Sequence, residues 1–152
     1  MTKKVKDSIV EMTELVTPQD TNHHGNISGG RLMHWIDIAA AMAAMRHGNR
    51  PVVTRSIDSI SFNYSIKLGQ AVVIKASVNR VFNSSMEVGV IVYSENLLTG
   101  DRKHTNSAYL TFVALDADSH PVKVNQIEPE TDEEKRRFAD ALKRRELRLI
   151  KS

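Results

Sequence analysis

Between Gly30 and about His47 the chain carries Leu32, Met33, Trp35, Ile36, Ile38, Ala39, Ala40, Ala41, Met42, Ala43, Ala44 and Met45. A helix with apolar residues on nearly every side cannot rest one face on water, so it has to be covered by the rest of the fold. The five alanines among them let a sheet approach the helix backbone closely, where larger side chains would hold it off. Whatever this chain folds into is therefore built around one buried helix.

The cover is supplied by strands. Residues 51–64, 71–82, 86–95 and 104–115 are rich in β-branched and aromatic residues, and residues 8–16 read as an earlier strand that stops at Thr17-Pro18. The links at 67–70, 83–85 and 98–101 are short and contain Gly or Asn, which supply positive φ, and none has room for a crossover helix. The four later strands are therefore antiparallel. After Pro121 the chain turns polar, and Thr131-Asp132-Glu133-Glu134 matches a capping box that opens a second helix with Phe138, Leu142 and Leu149 on one side. This tail helix is expected to pack peripherally. The reading is an α+β fold, a five-stranded antiparallel sheet wrapped around a long central helix, over residues 1–128, with a C-terminal helical extension over residues 129–152.

Composition narrows the chemistry. At 152 residues, 41% hydrophobic and 26% charged, the chain suits one ordinary globular domain. It contains no cysteine, which excludes thiol nucleophiles, disulfides and Cys-based zinc sites and fits a reducing compartment. The basic first ten residues lack the apolar core of a secretory signal, and no run approaches the roughly 20 apolar residues of a membrane span, so a cytoplasmic protein off the membrane is expected. A net charge of +3 decides little. The C-terminal cations Lys135, Arg136, Arg137, Lys143, Arg144 and Arg145 read as a solvated helix face, and no nucleic-acid partner is expected.

Asp37 stands in the middle of the apolar helix between Ile36 and Ile38, with no lysine or arginine three or four residues away. A carboxylate buried without a partner costs several kcal/mol or takes up a proton, and such a group suits a general base. The plainer reading is a solvent-facing aspartate, or one bonded to His34. Asn22, in the loop before the helix, has an amide that can donate to a carbonyl, although Asn beside a glycine turn commonly serves the backbone. Ser28 is placed to cap the helix. Gly29 and Gly30 then expose backbone N–H groups at its positive end, suited to an oxyanion, or simply permit the tight approach of loop to helix. His23 and His24 are adjacent and cannot easily aim at one ion, so no metal site is expected. No Gly-x-Ser-x-Gly elbow is present. What remains is water attack assisted by a carboxylate. The turn holding Ser84, Ser85 and Met86 and the cations Arg80, Arg102 and Lys103 are the candidates to meet a polar, phosphorylated ligand.

Residues 17–37, TPQDTNHHGNISGGRLMHWID, resemble the signature of the broad-specificity and brain-type cytosolic acyl-CoA hydrolases, which have the hotdog fold. Further matches are VT at 53–54, SIDSISF at 56–62, SSMEV at 84–88, TNSAYLTFVALD at 105–116 and PETDEEKRRF at 129–138, so the resemblance runs through nearly the whole chain. It implies hydrolysis of acyl-CoA to fatty acid and CoA, with the CoA thioester as substrate and no separate cofactor. It also implies that Asp37 is catalytic, as base or as nucleophile, and that Asn22 is its partner from the opposing subunit of a homodimer, commonly a trimer of dimers. Ser28 departs from the Phe or His that relatives often carry, and it lies near the expected acyl entrance. Hotdog domains also act as acyl-CoA sensors, usually beside a DNA-binding module for which the short stretch before Ser8 leaves no room, and as dehydratases, for which the helix lacks a His motif beyond His34.

Overall fold

The computed structural model describes residues 1–58 and 63–151. In chain order the elements are β1 (Lys3–Lys4), a 3-10 turn (Val5–Ser8), β2 (Val10–Leu15), a second 3-10 turn (Pro18–Asp20), α1 (Gly29–Gly48), β3 (Val52–Asp58), β4 (Ala71–Val81), β5 (Ser85–Glu95), β6 (Arg102–Ala114), β7 (Ile127–Glu128) and α2 (Asp132–Lys151). Five strands form one sheet in the order β2-β4-β5-β6-β3, and every pairing in it is antiparallel. β1 and β7 make a separate two-residue parallel pair, which the sequence reading did not anticipate.

Alternation along the strands sorts the two faces of the sheet. Val72, Ile74, Ala76 and Val78 of β4, Met86, Val88, Val90 and Val92 of β5, and Ala108, Leu110 and Phe112 of β6 all point inward into one core with α1. On the helix, Leu32, Ile36, Ala39, Ala40, Ala43 and Ala44 are at most 2% exposed, so the small residues do admit the sheet. Burying a side chain such as Leu32, Ile36, Leu110 or Phe112 stabilises the fold by about 1.5–3 kcal/mol each.

The ends of α1 are fixed locally. The Ser28 hydroxyl accepts from the Arg31 amide at 3.2 Å, and Asn49 closes the C-terminus in the left-handed conformation at φ 53. The capping box of α2 is complete: the Thr131 hydroxyl accepts from the Glu134 amide at 3.0 Å, and the Glu134 carboxylate accepts from the Thr131 amide at 3.3 Å.

Four expectations need correction. The first strand begins at Val10 rather than at Ser8, whose hydroxyl is fully buried, donating to Val5 O at 2.7 Å and accepting from Val78 N at 2.9 Å. The strand expected over 51–64 ends at Asp58 as far as it is described; residues 63–66 are not strand, and 59–62 lie outside the described residues. The apolar helix is not covered on all sides within one chain, because Ile38 is 38% and Met45 41% exposed. Lastly, α2 does more than present a solvated face. It lies on the outer face of the sheet, where Arg144 reaches the fully buried Glu87 of β5 with two bonds of 2.8 Å and Arg145 stacks over Phe82 at 4.4 Å.

Candidate active site

The loop before α1 is a tight, pinned turn. Asn22 Oδ1 accepts from the His24 and Asn26 amides at 2.9 and 3.3 Å, the Asn22 amide donates to Asn26 O at 2.8 Å, and Gly25 takes a φ of +80 that a side chain would strain. Backbone bonds from Ile27 to Ile66 and from Leu68 to Gly25 moor this turn to the segment ahead of β4. With its oxygen engaged, Asn22 keeps its amide nitrogen without a partner among the described residues, and its side chain is exposed. Asp20 is buried at the root of the loop, where the Thr17 amide (2.9 Å) and hydroxyl (2.7 Å) and then Arg31 (3.2 Å) hold its carboxyl below the usual range. That set ties the loop to the first turn of α1. Nothing in the spacing of Asp20 along the sequence announces this burial.

Asn22 and Gly29 face one pocket of about 280 Å³, which Tyr64, Asn63 and Leu32 also line. The N–H groups of Gly29 and Gly30 are the first of the helix and find no acceptor among the described residues, and a Cβ added at either would meet nothing within 4 Å. Open space, unpaired amides and the positive end of a helix coincide here, which suits a developing oxyanion.

Asp37 is elsewhere. It lies eight residues along α1 from Gly29, a rise of about 12 Å, and it is outside the pocket lining. It is half-buried rather than enclosed, and its partner is not His34 but Thr54 of β3, whose hydroxyl donates to Asp37 Oδ1 at 2.8 Å. Thr54 thereby joins the candidate site through its bond to Asp37. The edge strand places it opposite the helix, a relation no local spacing reveals. Among the described residues, the carboxylates that are fully or nearly fully buried are Asp20 and Glu87.

The candidates for a phosphorylated ligand separate. Lys103 holds its ammonium 3.8 Å from the centre of the ring of Tyr64, a residue of the pocket lining. Arg102 is taken by Glu95 at 2.6 Å and lies 4.0 Å from Glu11. Arg80 donates to Phe138 O at 3.1 Å and stacks on the Phe138 ring at 3.9 Å, so it holds α2. Ser84 and Ser85 are half-buried in the β4–β5 turn, where their carbonyls accept from Ala114 and Phe82. Met86 is 0% exposed and packs beside Gly48, so its place among the ligand contacts is withdrawn. It belongs to the inward set of β5. His23 and His24 are exposed with their rings 4.0 Å apart, and the described residues bring no carboxylate to them.

The family model of the thioesterase superfamily matches residues 24–100, just over half of the chain, and so takes in Gly29, Gly30, Asp37 and Thr54. The chain belongs to the thioesterase superfamily. Its relatives include mouse acyl-coenzyme A thioesterase 11, 47% identical over 93% of this chain, and the Bacillus subtilis protein named uncharacterized acyl-CoA thioester hydrolase YkhA, 44% identical over 88%. The chain spans 24% of the mouse protein's length and 77% of the bacterial one's. Among solved structures, an apo-hexameric acyl-CoA thioesterase superposes with a TM-score of 0.96 at 44% identity, covering 99% of this chain and 97% of that one. A Staphylococcus aureus acyl-CoA hydrolase in complex with butyryl coenzyme A and coenzyme A gives 0.92 at 38% identity, covering 99% and 94%.

The hotdog architecture of this thioesterase-superfamily chain is thus established by family and by superposition. Variants of the S. aureus enzyme with alanine at single asparagine, aspartate and threonine positions have also been solved, and those positions are separated by the same two intervals that separate Asn22, Asp37 and Thr54 here. No helix among the described residues is long and apolar enough to cross a membrane.

Proposed function

We propose that this chain hydrolyses acyl-CoA to free acid and CoA in a cytoplasmic homo-oligomer, each active site combining Asp37 of one copy with Asn22, Gly29 and Gly30 of another. The observation that carries this reading is the separation of the two halves. On one chain Gly29, in the pocket lining, and Asp37 are eight residues apart on α1, a rise of about 12 Å, and Ile38 and Met45 of the same helix are left uncovered. Packing two such helices side by side covers the apolar face and, in a two-fold arrangement, creates two equivalent sites. The hexameric relative supports such an assembly, and we take it here as a trimer of dimers.

In the mechanism the thioester carbonyl lies against the Gly29 or Gly30 N–H and the Asn22 amide nitrogen, which strengthen their hydrogen bonds as charge grows on oxygen. Asp37, oriented by Thr54, accepts a proton from water as the water oxygen bonds to the carbonyl carbon. The tetrahedral intermediate collapses with cleavage of the C–S bond, and CoA leaves, taking up the proton. Water is the only co-reactant; the scheme uses no metal and no cofactor. Lys103, stacked on Tyr64 of the pocket lining, is the cation placed to meet a CoA phosphate.

Release of CoA from acyl-CoAs of short to long chain, measured for the native protein and for Asp37→Ala at matched folding, tests the reading. A loss of about 10²–10⁴ in kcat is expected, the range for a general base. Full activity in the variant would sink the mechanism, and tight binding without turnover in the native protein would identify an acyl-CoA sensor.

A further inference from the structure

The strand that carries Thr54 sits at the edge of the sheet, with β6 as its one strand neighbour among the described residues. Its register shifts between Thr54 and Ser56, so Arg55 is a bulged residue. The bulge changes which face each later side chain takes. Thr54 stands opposite Phe112, an inward residue, and meets Asp37 of α1; Asp58 stands opposite Tyr109, on the outer face. In a regular strand, residues four apart share a face and Asp58 would point inward with Thr54. Instead Asp58 meets α2, and Arg148 Nη1 binds Asp58 Oδ2 at 2.6 Å, both side chains about three-quarters buried. One turn earlier on the same helix, Arg144 is locked onto buried Glu87 of β5 and stacks over Tyr109 at 3.6 Å.

We infer that Arg148 and Asp58 are positioning residues for the Asp37 carboxylate: α2, anchored through Arg144, holds the edge strand by its outer face so that Thr54 on the inner face keeps its bond to Asp37. The edge strand is thus clamped from both sides, one bond to each helix, across a bulge that makes the two bonds possible. The inference rests on the catalytic reading of Asp37 given above and adds to it a role for the tail helix. A displacement of the reacting group by about 1 Å is enough to cost up to 10²-fold in rate, and among the described residues α2 contributes nothing to the lining of the Asn22–Gly29 pocket.

The test measures kcat and KM for acyl-CoA hydrolysis in Arg148→Met, Arg148→Lys, Asp58→Asn and the Arg148→Met/Asp58→Asn pair, with Asp37→Ala in parallel. Arg148→Met is expected to lower kcat about tenfold, within the range for a misplaced group, with KM changed less than about twofold. Arg148→Lys should recover much of that loss, and the double variant should be no worse than the worse single one, since both remove the same contact. Asp58→Asn keeps the shape of the site and carries the test should Arg148→Met fail to fold. Folded single variants with native kcat would overturn the inference, and so would lowered stability with unchanged kcat. If Asp37→Ala is inactive while Arg148→Met is native-like, only the clamp is wrong; if Asp37→Ala is fully active, the catalytic reading falls and the clamp with it.

Discussion

The two helices have the same length, 20 residues each, and opposite relations to the sheet. α1 lies against the inner face through alanines and a few large apolar residues, and its side toward Ile38 and Met45 is left without a cover in the single chain. α2 lies on the outer face with Ala141 buried beneath it, and it is secured by charge: Arg144 to Glu87, Arg148 to Asp58, and Arg80 of the sheet to its Phe138 carbonyl. An apolar surface left open asks for a cover from another chain, whereas the ion pairs of α2 find their partners within the protomer, although Leu142, Leu147, Leu149 and Ile150 on the same helix are 37–78% exposed. The comparison therefore separates what one chain does for itself from what the assembly supplies.

Breaking the charged helix should produce the largest effect on stability. Glu87→Ala leaves the Arg144 guanidinium partly buried beside Tyr109 and takes from Asn79 the oxygen it donates to at 2.9 Å. Removing one member of a buried pair costs about 3–5 kcal/mol, so urea unfolding should move to a markedly lower midpoint and amide exchange in α2 should accelerate first. A shift below about 1 kcal/mol, the range of exposed pairs, would mean that α2 is held by its apolar contacts instead.

A smaller effect separates the end of α1 from the whole of α2. His47 is fully buried, and its Nε2 bonds to the Asn125 carbonyl at 2.6 Å, which places the proton there and leaves Nδ1 without a partner among the described residues. Burial lowers its pKa below 6.5, outweighing the Asn125 carbonyl, which favours the charged form. The unfolded chain thus binds a proton more readily, so this contribution to stability is complete above about pH 6.5 and declines as the pH falls below that value. Denaturation midpoints measured on either side of pH 6.5 should show the loss in the native protein and its absence in His47→Gln. Equal acid sensitivity in both would assign it to other groups.

Much of this arrangement was legible in the sequence where the signal is local. The central helix was placed at 30–47 and is found at Gly29–Gly48, and both bonds of the Thr131–Glu134 capping box form; the links at 83–85 and 98–101 close hairpins, whereas the one at 67–70 enters β4 from β3, which pairs with β6 at the far edge of the sheet. Period-two alternation also held information that went unread: Met86, Val88, Val90 and Val92 repeat at every second position, which marks Met86 as core and Glu87 as facing the other way. What could not be read depends on partners far along the chain. Glu87 finds Arg144 57 residues later, Asp37 finds Thr54 17 residues later, and the bulge at Arg55 that turns Asp58 toward α2 leaves no mark in composition or spacing. Helical periodicity showed that α1 must be covered, but it does not distinguish cover by the same chain from cover by a second one.

Subunit mixing tests most directly the claim that the active site is shared between copies. Asp37→Ala and Asn22→Ala proteins, each purified and close to inactive, would be unfolded together, refolded in equal amounts and assayed for CoA release. Random pairing yields half mixed dimers, each with one intact Asp37–Asn22 site of two, so about one quarter of native activity should return. A mixture no more active than its components, with mixed oligomers demonstrated, would place both residues in one chain's site and contradict the account.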